Sequence, residues 1–146
     1  MWTTLRPLTL FLALTAPVAA SEEEATTYPF DGSFEDATFA VENAIIGQGL
    51  VIDYVSHVGE MLNRTGADVG SDVTIFDAAD VFLFCSAVLS RKVMEVDPMN
   101  IAHCPYGIFV IDREGTVQIG YRHLPDGPMD EVEALLDTIA REAAGG

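Results

Sequence analysis

The sequence predicts an α+β fold: a two-layer sandwich in which a mainly antiparallel sheet of about five strands carries its helices on one face. Three observations predict it. Short apolar or β-prone runs of strand length alternate with stretches whose apolar residues recur at helical spacing. Two neighbouring strand-like runs, residues 108–111 and 117–121, flank the turn 112–116 and form a hairpin. The resulting order, β-α-β-(α)-β-α-β-β-α, is accommodated by helices segregated to one side of such a sheet.

Residues 22–26 read as a frayed leader, and Thr27-Tyr28-Pro29-Phe30 as a first strand that Pro29 places at an edge. Ser33 stands where an N-cap is needed, Asp36 follows three residues on, and Ala37, Val41, Ala44 and Ile45 make the apolar stripe of a helix. Gly47 is expected to supply its left-handed exit. Residues 50–55 form the second strand. Val58, Met61 and Leu62 repeat at helical spacing within residues 57–65, which Gly66 is expected to close before a loop over 66–72. The apolar run 80–85 has the character of an interior strand. It leads into a helix over 86–96 with Leu89, Val93 and Val96 on one face, ended by Asp97-Pro98 because a residue before proline avoids helical geometry. After the hairpin and the loop 123–128, Pro128 is read as the first helical residue of a last helix. Asp130, Glu131 and Glu133 crowd its positive end, Val132, Leu135, Leu136 and Ile139 form its buried stripe, and Arg141 sits at its negative end.

The amino end sets the compartment. Arg6, an uncharged apolar run from Pro7 to Val18, and small residues up to Ala20 follow the order of a secretory signal, so residues 1–20 are read as a signal peptide cleaved between Ala20 and Ser21. The run is too short, and too broken by Pro7 and Pro17, for a bilayer core that needs about 20 apolar residues. Residues 21–146 are then read as a single domain, periplasmic or secreted, with no stable membrane insertion after processing. Processing removes one cation, Arg6, and none of the acids, leaving six basic side chains against 23 acidic ones, a formal −17. That surface repels nucleic acid and anionic lipid, and accommodates a basic partner such as a periplasmic redox protein.

Chemistry is concentrated at two cysteines. Cys85 closes the interior strand at the mouth of the next helix, and Cys104 stands in His103-Cys104-Pro105-Tyr106 just before the following strand. If those strands pair, the thiols come within disulfide reach. In an exported chain a structural disulfide is the default. Two sharper readings stand beside it. As catalytic residues, Cys85 would be a nucleophile stabilised by the helix N-terminus and Cys104 its resolving thiol, giving a thiol-disulfide oxidoreductase; against this, no Cys-x-x-Cys occurs. As a soft-metal site, Cys85, His103 and Cys104 offer donors suited to copper or zinc, with Met94 and Met99 between them, although adjacent residues on an extended segment point to opposite faces. His57 and His123 lie at element ends and are weaker signals. No Gly-x-Ser-x-Gly, His-Glu-x-x-His, phosphate loop, haem attachment sequence or calcium-loop spacing occurs, and Asn63-Arg64-Thr65 matches only the short glycosylation triplet.

Phe34-Glu35-Asp36-Ala37, Gly49-Leu50-Val51-Ile52, Phe84-Cys85, Asp97-Pro98 and Cys104-Pro105-Tyr106 before Ile108-Phe109-Val110, in that order and spacing, resemble the prokaryotic family catalogued as domain of unknown function number 302. The resemblance spans residues 28–121 and implies helices packed on a sheet, with no reaction attached. Many members have a Gly-Asn-Pro-like turn where this chain reads Phe84-Cys85-Ser86-Ala87, and Leu-Pro where it reads His103-Cys104-Pro105. These departures imply an exported subgroup in which the two cysteines are a local specialisation. The expectation is an accessory or binding domain, more a binder than an enzyme, with a Cys85/Cys104 disulfide or ligand site.

Overall fold

A computed structural model describes residues 24–146. The signal reading over residues 1–20 and the cleavage point at Ala20 and Ser21 lie outside the described residues. In chain order the elements are β1 (Ala25–Pro29), α1 (Phe34–Gly47), β2 (Ile52–Ser56), α2 (Val58–Thr65), β3 (Ala78–Phe84), α3 (Ala87–Val96), β4 (Tyr106–Arg113), β5 (Thr116–Arg122) and α4 (Asp130–Ala143). Short 3₁₀ turns occupy Ala67–Val69 and Pro98–His103. The strands form one sheet in the order β1-β5-β4-β3-β2, every neighbouring pair antiparallel. The predicted α+β sandwich is the fold.

Local chemistry explains most of these boundaries. At the head of α1, the Ser33 side chain accepts from the Asp36 N–H while the Asp36 carboxylate accepts from the Ser33 backbone N–H, a reciprocal capping box that satisfies two helix-end donors. In the β4–β5 hairpin, Arg113 pairs with Thr116 around the two-residue turn Glu114-Gly115, whose φ values of 53° and 76° suit the right-handed twist of the strands.

Three helix ends differ from expectation. Gly47 remains inside α1, and the left-handed residue is Gly49 with φ 74°, because the Gln48 N–H still reaches helix carbonyls. Gly66 is right-handed and carries the chain from α2 into the 3₁₀ turn, so the left-handed exit falls at Gly70. Pro128 precedes the Met129 N-cap of α4 instead of opening the helix, because Gly127 and Asp130 close a turn there, with Gly127 N–H donating to the Asp130 carboxylate.

Burial alternates along the central strands. Tyr106, Ile108 and Val110 of β4 are buried, and so are Phe82 and Phe84 of β3 and Ile119 of β5. They face Ala37, Val41, Ala44 and Ile45 of α1 and Val132, Leu136 and Ile139 of α4 in one core. Each fully buried aliphatic side chain of this kind contributes about 1.5–3 kcal/mol. The intervening residues Val81, Leu83, Phe109 and Ile111 are only half-buried, since they lie on the face turned away from α1 and α4.

Outside the sheet, α2 presses Gly59 onto the backbone of β3. A Cβ at Gly59 would stand 2.5 Å from the Ala79 backbone nitrogen, and rigid backbone cannot yield as a flexible side chain can. Gly59→Ala is therefore expected to destabilise the protein by about 1–3 kcal/mol, read as a lower urea midpoint. An unchanged midpoint would show that α2 is free to shift away from the sheet.

Candidate functional site

Register builds the cysteine site. Phe84, the last residue of β3, pairs with Tyr106, the first of β4. Cys85 lies one residue beyond the first and Cys104 two residues before the second, so antiparallel pairing carries the thiols to the same end of the sheet. Their sulfur atoms stand 2.6 Å apart, both partly buried. Ser90 of α3 lies over the pair: its Oγ donates to the Tyr106 hydroxyl at 3.1 Å and sits 4.0 Å from the Cys104 sulfur. Tyr106 is itself 2 % exposed, and that burial raises its phenol above the ordinary value.

The electrostatics do not give Cys85 an activated thiol. Burial first, then the hydrogen bond and charge of Cys104 and the carboxylate of Asp53, push the Cys85 thiol up to about 12, while a backbone hydrogen bond from Tyr106 pulls weakly the other way. The helix N-terminus does not offset this, because Ser86 occupies the N-cap and uses its own hydroxyl to accept from the Leu89 N–H. Cys85 stands one residue outside the capped turn. A thiol so disfavoured as thiolate is a poor attacking group at neutral pH.

His103 ends the 3₁₀ turn Pro98–His103, and Cys104 is its C-cap. Among the described residues no three His, Cys, Asp or Glu side chains converge as a set able to hold a metal ion, so Cys85, His103 and Cys104 are not assembled into a three-donor centre there. Met94 packs against the core and Met99 is exposed.

The other two histidines each meet a carboxylate. His57 Nδ1 lies 2.8 Å from Asp80 beside an open cleft of about 510 Å³ that also reaches Glu60, Arg64 and Asp77. His123 Nδ1 lies 2.8 Å from Glu133, whose second oxygen accepts from the Leu124 N–H at 2.7 Å, and Nε2 of the same ring lies 3.2 Å from the Thr26 hydroxyl. One turn further along α4, Asp137 receives the hydroxyls of Tyr28 and Tyr121, the latter at 2.9 Å, and the Arg141 Nε at 2.8 Å. The Arg141 guanidinium also covers the Tyr28 ring at 5.1 Å. Sequence reading missed this second polar cluster, because Tyr28 and Asp137 are 109 positions apart and neither belongs to a motif. The one visible trace was spacing: Glu133, Asp137 and Arg141 recur every fourth residue on α4.

A five-stranded sheet with α1 and α4 packed on one face and a cysteine pair at the strand ends define an α+β sandwich with one thiol site. The chain belongs to the family described as Domain of unknown function DUF302, which matches residues 25–142. None of the curated proteins matches it. Among solved structures it is similar to the uncharacterized conserved DUF302 protein of Bacillus stearothermophilus, with a TM-score of 0.61 and 17 % identity, over 85 % of this chain and 95 % of that one. At that identity the likeness is one of fold.

The polar cluster on α4 titrates. Burial alone would raise the Asp137 carboxyl, but the hydrogen bonds from Tyr28, Arg141 and Tyr121 together hold it below the usual carboxylate range. Tyr121 is pushed the opposite way, up to about 12, by burial and by its bond to Asp137. A carboxyl depressed in the folded state stabilises the protein above the unfolded-state value of about 4, and that contribution is lost as pH falls through the lower folded-state value. Urea unfolding from pH 6 to pH 2.5 is expected to show this loss, and Asp137→Asn should flatten the acid limb while costing about 1–2 kcal/mol at pH 7. An acid limb of the same steepness in the variant would remove Asp137 as its source.

Proposed function

We propose that the protein is an exported, periplasmic accessory domain that binds without turnover and whose Cys85 and Cys104 are joined as a disulfide. The single observation that carries the bridge is the 2.6 Å between the two sulfur atoms, from which only about half an ångström of approach gives a covalent bond. The order of residues 1–20 supports export with cleavage after Ala20, leaving residues 21–146 as the working domain, and an exporting pathway delivers cysteines to an oxidising compartment. The formal −17 of the processed chain favours a basic protein partner over nucleic acid.

The oxidoreductase alternative has weaker support. It needs Cys85 as the attacking thiol, and burial disfavours its thiolate. Copper or zinc at Cys85, His103 and Cys104 lacks a converging third donor among the described residues. A bridge, by contrast, uses what is present. It ties the β3–α3 corner to the head of β4, and its two cysteines are 19 positions apart. In the chain-entropy account a loop of that length is worth about 3 kcal/mol.

Protein recovered from the periplasm is expected to begin at Ser21, to show no thiol reactive to Ellman's reagent when unfolded without reductant, and to show two after reduction. Reduction, or Cys85→Ala with Cys104→Ala, should lower the unfolding free energy by about 3 kcal/mol. Two reactive thiols in the unreduced protein, or reduction of a model disulfide that depends on Cys85, would overturn the reading.

A further inference from the structure

We propose that the face of the sheet turned away from α1 and α4 carries, beside Cys104, a groove for a small ligand made of an apolar body and one carboxylate. This deepens the binding-domain reading and rests on it. The groove has a volume of about 400 Å³ and is walled by Leu83, Ala102, Pro105, Gly107, Phe109 and Arg122. That is the size class of small-molecule clefts, in which apolar walls bury the ligand body and few polar groups orient it.

The pleat makes the groove. Leu83 pairs with Gly107, and Phe109 pairs with Gly120, so Gly107 and Arg122 lie one step along the same face. Gly107 is the floor, because it has no side chain where its neighbours have one; Val81 and Leu83 come to 3.4 and 3.5 Å of the place its Cβ would fill. At the next step Phe109 folds across Gly120, whose Cβ would meet the Phe109 ring at 2.5 Å. The ring is thereby held down on β5 and closes one end. Pro105 and Ala102 close the other.

Arg122 supplies the charge complementarity. Arg91, Lys92 and Arg141 are each engaged by a carboxylate, of Glu95, Glu131 and Asp137 respectively. Arg64, Arg113 and Arg122 form no such pair among the described residues, and of these Arg122 is the one on these walls. A single guanidinium matches a single carboxylate through two parallel N–H bonds. The formal −17 of the processed chain opposes multiply charged anions, so an apolar monocarboxylate fits where a polyphosphate or nucleic acid does not.

Titration of the ¹⁵N-labelled protein with octanoate, with 1-octanol and octylamine as matched probes, tests this. Octanoate is expected to shift the amides of Gly107, Phe109, Gly120 and Arg122 and to bind about tenfold more tightly than octanol. Arg122→Gln should abolish that preference while leaving octanol binding unchanged, and Gly107→Leu should block both ligands. Arg122 is exposed, so its variant keeps the test valid if Gly107→Leu fails to fold. Equal binding of octanoate and octanol, shifts confined to other surfaces, or no binding of octanoate would each overturn the groove. Thiol counting on the same samples separates the two readings: bridged cysteines without octanoate binding remove only the groove, whereas Cys85-dependent disulfide reduction removes the parent reading whatever octanoate does.

Discussion

The antiparallel register between β3 and β4 is the constraint on which the rest of the structure depends. With Phe84 opposite Tyr106 and Phe82 opposite Ile108, the aromatic and aliphatic side chains that α1 and α4 cover all point to one face. A slip of β3 by one residue against β4 would turn Phe82 and Phe84 out of the core and bring Val81 and Leu83 in. The same register sets the cysteines at one end of the sheet and lines up Leu83 with Gly107 on the open face. Core, thiol pair and groove follow from one pairing.

The two faces of the sheet then take different roles. The helix-covered face supplies the stability, with Ile45, Ile108, Ile119 and Ile139 fully buried. The open face keeps half-buried Val81, Leu83, Phe109 and Ile111, and it is smoothed by Gly107 and Gly120, where neighbouring side chains lie over bare backbone. A small two-layer domain leaves one side of its sheet available for this use. Arg91, Lys92 and Arg141 are tied to carboxylates on the helices, whereas Arg122 lines the groove over Gly107.

The thiol site disfavours a free Cys85 thiolate. Tyr106, Ser90 and the strand ends pack around sulfur atoms already in contact, and burial suppresses the Cys85 thiolate. The sequence placed Cys85 at a helix mouth, where a thiolate is normally favoured. The structure gives the cap to Ser86 and leaves Cys85 one residue outside it, where desolvation outweighs the helix end.

Whatever depends on neighbours along the chain was legible in the sequence: the α+β order, the Ser33/Asp36 cap, the β4–β5 hairpin, and the position of both cysteines at ends of adjacent elements. Where each helix stops was less so, because Gly47 and Gly49, or Gly66 and Gly70, are equally permissive and tertiary contacts choose between them. The Tyr28–Asp137–Tyr121 cluster, the carboxylate partners of His57 and His123 and the groove over Gly107 were decided only by the tertiary structure. Local propensity acts over a few residues, whereas these sites join side chains from separate strands and helices whose meeting is fixed by sheet register and by the packing of α4.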